Sequence, residues 1–534
     1  MHWLLTFNII YLSIFSRSSI STDSQTEKRK NILFIVADDL GWNDVGWNNP
    51  DMHTPNLDTL AENGIILNQS YVQPTCTPSR VSFMTGYFPY KLGLQQNGLR
   101  PLESNAVSLN YTMMPEKLKE LNYSTHMIGK WHLGYCNKNF TPTSRGFDSF
   151  FGFYLGSQDH FYHNTSGVSK NGTKFRGYDF HYNYNPYPQA IGVYSTDLYA
   201  ERTIEIINNT DEDKPFFIYL AFQNPHSPPQ VPKGSPVSGC QNITNKNRRL
   251  FCGMVEQIDL AVGKIVLALK RRGLYNDTLI VFTSDNGGQV LHGGNNYPLR
   301  GNKGTIWEGG IRAPGFIHAK FLNLRRGYVS MRLFHAVDWY PTFIELAGGG
   351  LSQSKSNPKI NTSLNIDGIS QWKGIINASA PSPRNNFLIN MIIKKKIFAG
   401  IRFGNFKLLL GMAGEMDDWY KPDNKKVNIN DGMYSGGSGQ TLNNSGINEI
   451  LDPKFENYIE KLKIDRNDIW YFNIMRDPYE KNNIDTKDKV FYKMLDLLVM
   501  YRESYKSPTR IRENLAGNPN FYDGYFHYGW CDSY

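Results

Sequence analysis

The sequence lacks an apolar run long enough to cross a membrane. A helical span needs about 20 consecutive apolar residues, and the apolar stretch at residues 3–15 is shorter and is followed by small residues. That pattern is typical of a signal peptide, which we predict over residues 1–20. About a dozen Asn-x-Ser/Thr motifs suit a glycoprotein, and no Lys-Asp-Glu-Leu-type tail is present. We therefore expect the secretory pathway, with a lysosomal or secreted end point.

A nucleic-acid-binding motif is also missing, although the formal net charge is +9. Such a charge favours polyanionic partners. The Lys and Arg residues are scattered, however, and are not interleaved with aromatic residues in one segment. We expect no nucleic-acid partner. The chain has 534 residues, of which 40% are hydrophobic and 20% charged, so it is globular and long enough for more than one domain.

Apolar runs alternate with helix-like segments through the first two thirds of the chain. Buried-type strands are predicted at residues 31–36, 124–129, 215–221 and 278–282. Helices are predicted at residues 54–62, 114–121, 196–207, 253–272 and 338–347. The alternation predicts an α/β fold with a large, mostly parallel sheet flanked by helices on both faces. Residues 147–187 are rich in Gly, Tyr, Asn and His and are predicted to form a long functional loop rather than core.

The sequence pattern changes near residue 390. A hairpin is predicted around Gly404-Asn405, followed by a surface loop over residues 411–446, a strand at residues 470–474 and one helix at residues 490–501. These segments predict a smaller antiparallel sheet with one helix. We divide the chain into a catalytic domain over residues 31–390 and a smaller α+β domain over residues 391–534.

Two of the buried-type strands end in hard oxygen ligands. Asp38 and Asp39 follow the first strand, and Asp285 and Asn286 follow the fourth. Either pair alone is more often a turn former. Ligands in open α/β sheets collect beyond the carboxyl ends of strands, and three carboxylates brought together there would repel one another unless a cation neutralised them. Oxygen ligands suit Ca²⁺ or Mg²⁺.

The pentapeptide Cys76-Thr77-Pro78-Ser79-Arg80 precedes another helix-like segment. Pro78 fits the first helical position, which would place Cys76 just before a helix N-terminus, where an anion or a developing oxyanion is favoured. A lone Cys beside Pro is more often a small buried thiol. The other motifs of the chain favour a functional role.

This pentapeptide resembles the signature of the sulfatase family. Supporting blocks stand in family order at residues 37–42, 129–134, 284–288 and 299–303, and the resemblance is greatest to arylsulfatase B-like enzymes. It implies an alkaline-phosphatase-like fold and conversion of Cys76 to Cα-formylglycine by the formylglycine-generating enzyme. It also implies one calcium ion, with these ligands: Asp38, Asp39, Cys76, Asp285 and Asn286.

The resemblance also assigns catalytic roles. Arg80 and Lys130 would hold the aldehyde hydrate, and His132 would assist the release of sulfate. His226 and Lys303 would bind the sulfate oxygens, and one of them would protonate the leaving oxygen. One hydroxyl of the hydrate would attack sulfur and expel the alcohol, and the second would collapse to the aldehyde and eject sulfate. Segments 145–148 and 156–160 line up with family segments beside the substrate mouth.

The implied substrate is a sulfated glycan or an aryl sulfate. The resemblance suggests the 4-sulfate of N-acetylgalactosamine. Two alternatives stay open. One is a phosphate mono- or diester hydrolase of the same superfamily, although such enzymes tend to use two zinc ions and more His ligands. The other is an inactive secreted glycan-binding protein, which would be expected to have lost Cys76, Lys303 or an Asp ligand.

The chain has five Cys, an odd number for a secreted protein. If Cys76 becomes an aldehyde, four remain. Cys240 and Cys252 are close enough in sequence for a local bridge, which would leave Cys136 and Cys531. Four Cys allow three connectivities, and the sequence does not select among them.

Overall fold

The computed structural model describes residues 29–235, 238–350, 366–422, 453–509 and 513–532. Its strands are β1 (Asn31–Ala37), β2 (Ile65–Leu67), β3 (Ser70–Tyr71), β4 (Ser124–Lys130), β5 (Ser149–Phe153), β6 (Asn164–Val168), β7 (Lys174–Tyr178), β8 (His181–Tyr182), β9 (Asn185–Pro186), β10 (Phe216–Ala221), β11 (Thr278–Ser284), β12 (Phe316–His318), β13 (Tyr328–Ser330), β14 (Phe334–His335), β15 (Asn386–Ile393), β16 (Ile397–Phe403), β17 (Phe406–Leu410) and β18 (Ile469–Asn473). Its α-helices are α1 (Pro55–Glu62), α2 (Cys76–Thr85), α3 (Met114–Glu120), α4 (Ser195–Asn208), α5 (Lys246–Arg271), α6 (Glu308–Ile311), α7 (Trp339–Leu346), α8 (Trp372–Ile376), α9 (Pro453–Leu462) and α10 (Lys489–Glu503). The predicted signal peptide and most of the predicted loop at residues 411–446 lie outside the described residues.

The large sheet has ten strands within the described ranges, in the order β13-β2-β12-β11-β1-β10-β4-β5-β8-β9. Its centre, from β11 to β5, is parallel, and antiparallel pairs flank it on both sides. All seven residues of β1 are buried, as a strand covered on both faces requires. This confirms the predicted α/β fold with a large, mostly parallel sheet.

Helices cover both faces of this sheet. Alternate residues of β1 point to opposite faces, so Phe34 joins one apolar cluster and Ile35 joins the other. Helices α2, α3 and α7 complete the first cluster. Helices α1, α4 and α5 complete the second. The site described below therefore stands on a frame that is packed from both sides.

The smaller sheet is antiparallel, with the order β15-β16-β17-β18. It includes the predicted hairpin, whose turn is Gly404-Asn405. Helices α9 and α10 pack on it in a third apolar cluster. The sequence predicted α10 but not α9. The same cluster contains Trp307 and Ile311, which precede and end α6, so apolar packing joins the small sheet to the loop that follows β11.

The prediction of a loop over residues 147–187 is wrong for its first part. Strand β5 lies within it, pairs in parallel with β4 and has four buried residues out of five. Strands β6 and β7 form a separate hairpin. The Gly-rich composition of the segment suggested a loop, but a Cβ atom on Gly152 would lie 2.0 Å from the carbonyl oxygen of Gly129 on β4. The glycine permits close approach of two strands rather than a turn.

Two disulfides join the four remaining cysteines, Cys136 to Cys531 and Cys240 to Cys252. Cys76 is a free, buried cysteine. The first bridge ties the last described segment, residues 513–532, to the loop after β4, and Trp530 joins the apolar cluster that includes α2. Among the described residues, no helix combines the length and the apolar character that a membrane crossing requires.

Candidate active site

The site lies at the edge of the large sheet where the parallel strands end. Strands β1 and β11 are neighbours, with Ala37 opposite Ser284. The residues that follow these two strands therefore meet. The backbone N–H of Asp39 donates to Asp285 Oδ1 (3.3 Å), and Asn286 Nδ2 donates to Asp39 Oδ1 (2.8 Å). The convergence predicted from the two strand ends is thus present in the fold.

The residues at this edge fit a bound hard cation. One side-chain ligand atom from each of four residues lies within 4.8 Å of the others: Asp38, Asp39, Cys76 and His226. Asp38 Oδ1 and Asn286 Oδ1 are buried, and neither has a hydrogen-bond partner in the described part of the chain. Buried acceptors without a partner are costly, and oxygen atoms are the ligands that calcium prefers. Burial and the nearby Asp285 carboxylate raise the pKa of Asp38 to about 7. A bound cation would stabilise the ionised carboxylate and so lower this pKa.

Cys76 is the first residue of α2, so the helix begins two residues earlier than the predicted start at Pro78. Its side chain is buried, and burial raises the pKa of its thiol to about 11. An unmodified Cys76 is therefore a protonated thiol at neutral pH, which is a poor nucleophile. The next residue, Thr77, donates its hydroxyl to the carbonyl of His132 (3.1 Å) and accepts from the N–H of Leu99 (3.2 Å).

Two fully buried cationic side chains, those of Arg80 and Lys130, pair with the carboxylates. Arg80 on α2 donates Nη2 and Nε to Asp285 Oδ2 (2.8 and 3.0 Å) and Nη1 to the carbonyl of Lys130 (2.9 Å). Lys130, at the end of β4, donates Nζ to Asp38 Oδ2 (2.6 Å). Neither side chain has measurable exposure. These pairs fix the positions of two of the three carboxylates, because a buried charge keeps its partner close.

Lys303 reaches the site from the loop between β11 and α6. Its Nζ lies 2.6 Å from Asp39 Oδ1 and 2.8 Å from Oδ2. Burial opposes the charge of Asp39, but Lys303, His226 and the Asn286 hydrogen bond outweigh it and hold the pKa of this carboxyl below its usual range. The backbone N–H of Gly304 donates to the carbonyl of Pro74 (2.7 Å), which ties the Lys303 loop to the segment before α2.

Residues beside and within the smaller sheet hold the other end of the Lys303 loop. The guanidinium of Arg300 stacks on Trp307 (3.7 Å to the ring centroid) and also lies over Trp419 and Trp470. Its Nε donates to the carbonyl of Asp417 (2.6 Å), and the next backbone N–H, that of residue 301, donates to the carbonyl of residue 418 (3.0 Å). The loop that carries Lys303 is thus held by contacts with the segment that follows β17 and with β18 of the smaller sheet.

His132 follows β4 and is held in an unusual backbone conformation. Its φ is +58°, in the left-handed region that non-glycine residues avoid. Nε2 donates to the carbonyl of Leu99 (3.0 Å), so in the neutral ring Nδ1 keeps its lone pair, and Nδ1 has no partner within the described ranges. A Cβ on Gly98 or Gly156 would lie 2.7 or 2.8 Å from the ring. Burial, with Lys130 nearby, holds the pKa of His132 well below its usual value.

His226 follows β10, which pairs with β1 on the side opposite to β11. Its Nδ1 donates to the carbonyl of Ser227 (2.8 Å), and its Nε2 lies 3.6 Å from Asp39 Oδ2. The Nε2 of His160 donates to the carbonyl of His226 (3.1 Å) and so anchors this loop. Burial lowers the pKa of His226 to about 3, with Lys303 contributing.

Ion pairs and hydrogen bonds link Asp39 to Asp285, Asn286, Lys303 and His226, and link Lys130 and Arg80 to the neighbouring carboxylates. Cys76 lies within 4.8 Å of this cluster, and His132 is connected to it through other residues. The sequence analysis missed Thr77 and Leu99, whose contacts connect α2 to His132. The position of Thr77 beside Cys76 was the available signal, but nothing in the sequence marked Leu99. Arg145, in a segment aligned with the substrate mouth, is buried and binds Glu116 and backbone carbonyls, so its side chain is structural.

Comparison with known proteins gives consistent matches. The family model described as "Sulfatase" matches residues 30–349. Arylsulfatase J of Mus musculus is 39% identical over 478 residues, which are 86% of this chain and 73% of that protein. N-acetylgalactosamine-6-sulfatase of Rattus norvegicus is 31% identical over 336 residues, covering 60% of this chain and 62% of its own length.

Two solved structures are similar over nearly the whole chain. The structure of Ps i-CgsB in complex with k-i-k-neocarrahexaose has a TM-score of 0.70 at 28% identity, and the match covers 92% of this chain and 97% of that one. The structure of the PsFucS1 sulfatase from Pseudoalteromonas sp. has a TM-score of 0.65 at 24% identity, covering 90% and 92%, and shows the same fold.

Proposed function

This chain belongs to the sulfatase family and is a sulfuric ester hydrolase, and we propose that it acts through a Cα-formylglycine at position 76 and one calcium ion. The observation that carries this proposal is the position of Cys76. Cys76 is the first residue of the buried helix α2. Its Sγ lies within 4.8 Å of ligand atoms from Asp38, Asp39 and His226. The formylglycine hydrate would supply a hydroxyl nucleophile acidified by the cation.

The proposed ligands are the residues that end β1 and β11, together with the modified residue 76. Within the described residues, Asp38 Oδ1 and Asn286 Oδ1 have no hydrogen-bond partner, which supports a cation between the two strand ends. Asp38, Asp39 and Asp285 carry three formal negative charges, which Arg80, Lys130 and Lys303 balance. A divalent cation would make the site positive overall, and a positive site favours an anionic sulfate ester.

The remaining side chains would handle the sulfate and the protons. We assign Lys303 Nζ to the sulfate oxygens and to the protonation of the leaving alcohol, because it carries protons and already lies beside Asp39. His226 Nε2, on the same carboxylate, would bind a sulfate oxygen in the ring form that carries a proton on that nitrogen. His132 Nδ1, with its free lone pair, would accept a proton as sulfate leaves. Arg80 and Lys130 would keep the carboxylates and residue 76 in place and stabilise negative charge on the nucleophile.

A sulfated sugar such as N-acetylgalactosamine 4-sulfate is the proposed substrate. The name of the rat relative, N-acetylgalactosamine-6-sulfatase, supports this sugar, and Ps i-CgsB was solved with an oligosaccharide. Position 4 follows the resemblance to arylsulfatase B-like enzymes. The net charge of +9 also suits a polyanionic glycan. Comparing kcat/KM on the 4-sulfate and the 6-sulfate of N-acetylgalactosamine tests this choice directly, and a preference for the 6-sulfate would overturn it.

The experiment that tests the chemistry is peptide mass spectrometry across residue 76, on protein from a eukaryotic secretory host. Conversion replaces sulfur by oxygen and removes two hydrogens. The converted protein should hydrolyse 4-nitrophenyl sulfate faster than 4-nitrophenyl phosphate, and Cys76→Ala should be inactive. Elemental analysis should find calcium in the wild type and less in Asp38→Asn. An unmodified thiol from a host that converts another sulfatase would refute the mechanism.

We also propose a domain boundary near residue 390 and residence in the secretory pathway, lysosomal or secreted. The two disulfides support an oxidising compartment. The chain expressed in animal cells should be glycosylated and recovered from lysosomes or medium. A cytosolic, unglycosylated product would contradict this location.

A further inference from the structure

A cavity of about 280 Å³ lies beside the segment that contacts His132. Its walls come from three parts of the chain: the loop at residues 93–105, the turn of the β6–β7 hairpin, and residues 508–509 after α10. None of the proposed metal ligands or catalytic residues lines it. It is therefore a neighbouring space rather than part of the sulfate pocket itself.

One backbone segment separates this cavity from the site. Gly98 and Leu99 both line the cavity. On the other side of the same segment, the carbonyl of Leu99 accepts from His132 Nε2 (3.0 Å) and its N–H donates to the hydroxyl of Thr77 (3.2 Å). Gly98 lies against the ring of His132, where a Cβ would approach to 2.7 Å. A ligand in the cavity would therefore be adjacent to the residues around the nucleophile.

The lining of the cavity is polar and offers cationic groups. Arg100 and Lys170 line it from different loops, and both are exposed. Across the described ranges, neither side chain takes part in an ion pair or a hydrogen bond to protein. One carboxylate also lines the cavity, that of Glu103, and it accepts from the backbone N–H of Arg100 (3.3 Å). Amide side chains such as Asn97 complete the wall.

We propose that this cavity is a subsite for the sugar unit next to the sulfated sugar, and that Arg100 and Lys170 bind an anionic group on that unit. The proposal rests on the proposed function. The volume is close to the lower end of the roughly 300–1,000 Å³ of small-molecule pockets, so the cavity takes one sugar rather than a chain. The anionic group is a carboxylate or a second sulfate. The preferred substrate is thus a polyanionic oligosaccharide, and a small aryl sulfate leaves the subsite empty.

The test compares two substrates in variants of the two cations. For Arg100→Ala and Lys170→Ala, KM for a chondroitin 4-sulfate tetrasaccharide should rise about 3- to 10-fold each, the range of partly exposed charged contacts. Neither variant should change kcat or KM for 4-nitrophenyl sulfate. Arg100→Lys should retain most of the affinity. Lys320→Ala is the matched control, since Lys320 is exposed and follows β12, which runs antiparallel to β11 and so ends at the opposite edge of the sheet.

A separate measurement keeps the subsite distinct from the proposed function. In the Cys76→Ala background, which does not turn over, calorimetric binding of the same tetrasaccharide should weaken when Arg100→Ala is added. Unchanged binding would overturn the subsite, as would equal losses on the aryl sulfate and the tetrasaccharide. Absence of wild-type activity on every sulfate ester would instead overturn the proposed function, while the binding result still decides the subsite.

Esterification identifies the anionic group. If the uronate carboxyls of the tetrasaccharide are converted to methyl esters, a carboxylate ligand predicts that wild type and Arg100→Ala bind it equally well. A sulfate ligand predicts that the difference between them persists. Both results support the subsite and assign its charge.

Discussion

Replacing Arg300 with Leu tests whether residues beside the smaller sheet position Lys303. Arg300 is three residues before Lys303, and the residue is 7% exposed. The side chain stacks on Trp307 and donates Nε to the carbonyl of Asp417 (2.6 Å) and Nη1 to the carbonyl of Glu480 (3.4 Å). Leu keeps much of the bulk but removes the charge, both hydrogen bonds, the contacts with the Trp rings and the ion pair to the Asp417 carboxylate.

The expected cost follows from these contacts. A hydrogen bond from a charged donor contributes about 1.5–3 kcal/mol, and the second, longer bond contributes less. The stacking on Trp307 contributes about 0.5–2 kcal/mol. Removing the buried charge recovers part of this, because the guanidinium no longer has to be desolvated. We expect a net loss of about 2–4 kcal/mol in unfolding free energy.

Activity should fall as well, because the loop that carries Lys303 loses one of its anchors. A displacement of about 1 Å can cost roughly 10²-fold in rate, so kcat on 4-nitrophenyl sulfate should fall about 10- to 100-fold. Denaturant unfolding followed by tryptophan fluorescence measures the stability. Steady-state kinetics measures kcat and KM separately. Arg300→Lys should recover little, since it lacks the planar fork that stacks and donates sideways.

Arg249→Leu is the matched control. Arg249 is exposed on α5 and donates to one backbone carbonyl, that of Ile243. Its loss should change stability by no more than about 0.5 kcal/mol. If Arg300→Leu unfolds at the wild-type denaturant concentration and keeps the wild-type kcat, the contacts of Arg300 beside the smaller sheet do not position Lys303.

Three further predictions concern stability. Lys407→Met should cost about 3–5 kcal/mol in unfolding free energy, because Lys407 is fully buried between two carboxylates, with Nζ 2.7 Å from Glu480 Oε1; a loss below 1 kcal/mol would show that the pair is dispensable. Burial raises the pKa of Glu480 to about 7, so its folded form binds a proton that the unfolded form releases, and its contribution to stability is lost as pH rises from about 4.5 to about 7. Glu480→Gln should flatten that part of the pH profile of the unfolding free energy, and an unchanged slope would contradict the assignment. Cys531→Ala should destabilise more than Cys240→Ala, since the two bridges close sequence separations of 395 and 12 residues; equal denaturant midpoints would argue against loop entropy as the cause.

The structure corrects the sequence analysis at two kinds of position. Strand β5 was predicted as loop because residues 147–187 are rich in Gly, Tyr, Asn and His, whereas Gly152 is required by the close approach of β4. Helix α9 was not predicted, and α5 begins at Lys246, seven residues before the predicted start. In both helices the missed turns depend on packing, since the buried face of α9 joins the cluster of the smaller sheet.

The sequence by itself determined the frame of the site. Continuous apolar runs identify strands buried on both faces, and parallel neighbours end at one edge, so Asp38 and Asp285 had to be close if their strands were adjacent. The pentapeptide containing Cys76 and the other family blocks carried the resemblance to sulfatases. Each of these patterns lies within one short run of consecutive residues, so it can be recognised without the fold.

Only the tertiary structure decided which distant residues complete the site. The hydrogen bond from Arg300 to the carbonyl of Asp417 joins residues that are 117 positions apart in the chain. The disulfide between Cys136 and Cys531 joins residues that are 395 positions apart. The cavity beside the His132 segment is lined by three separate parts of the chain. Such pairings leave no periodic signal in the chain, because they depend on how whole elements pack and not on the conformation of any one segment.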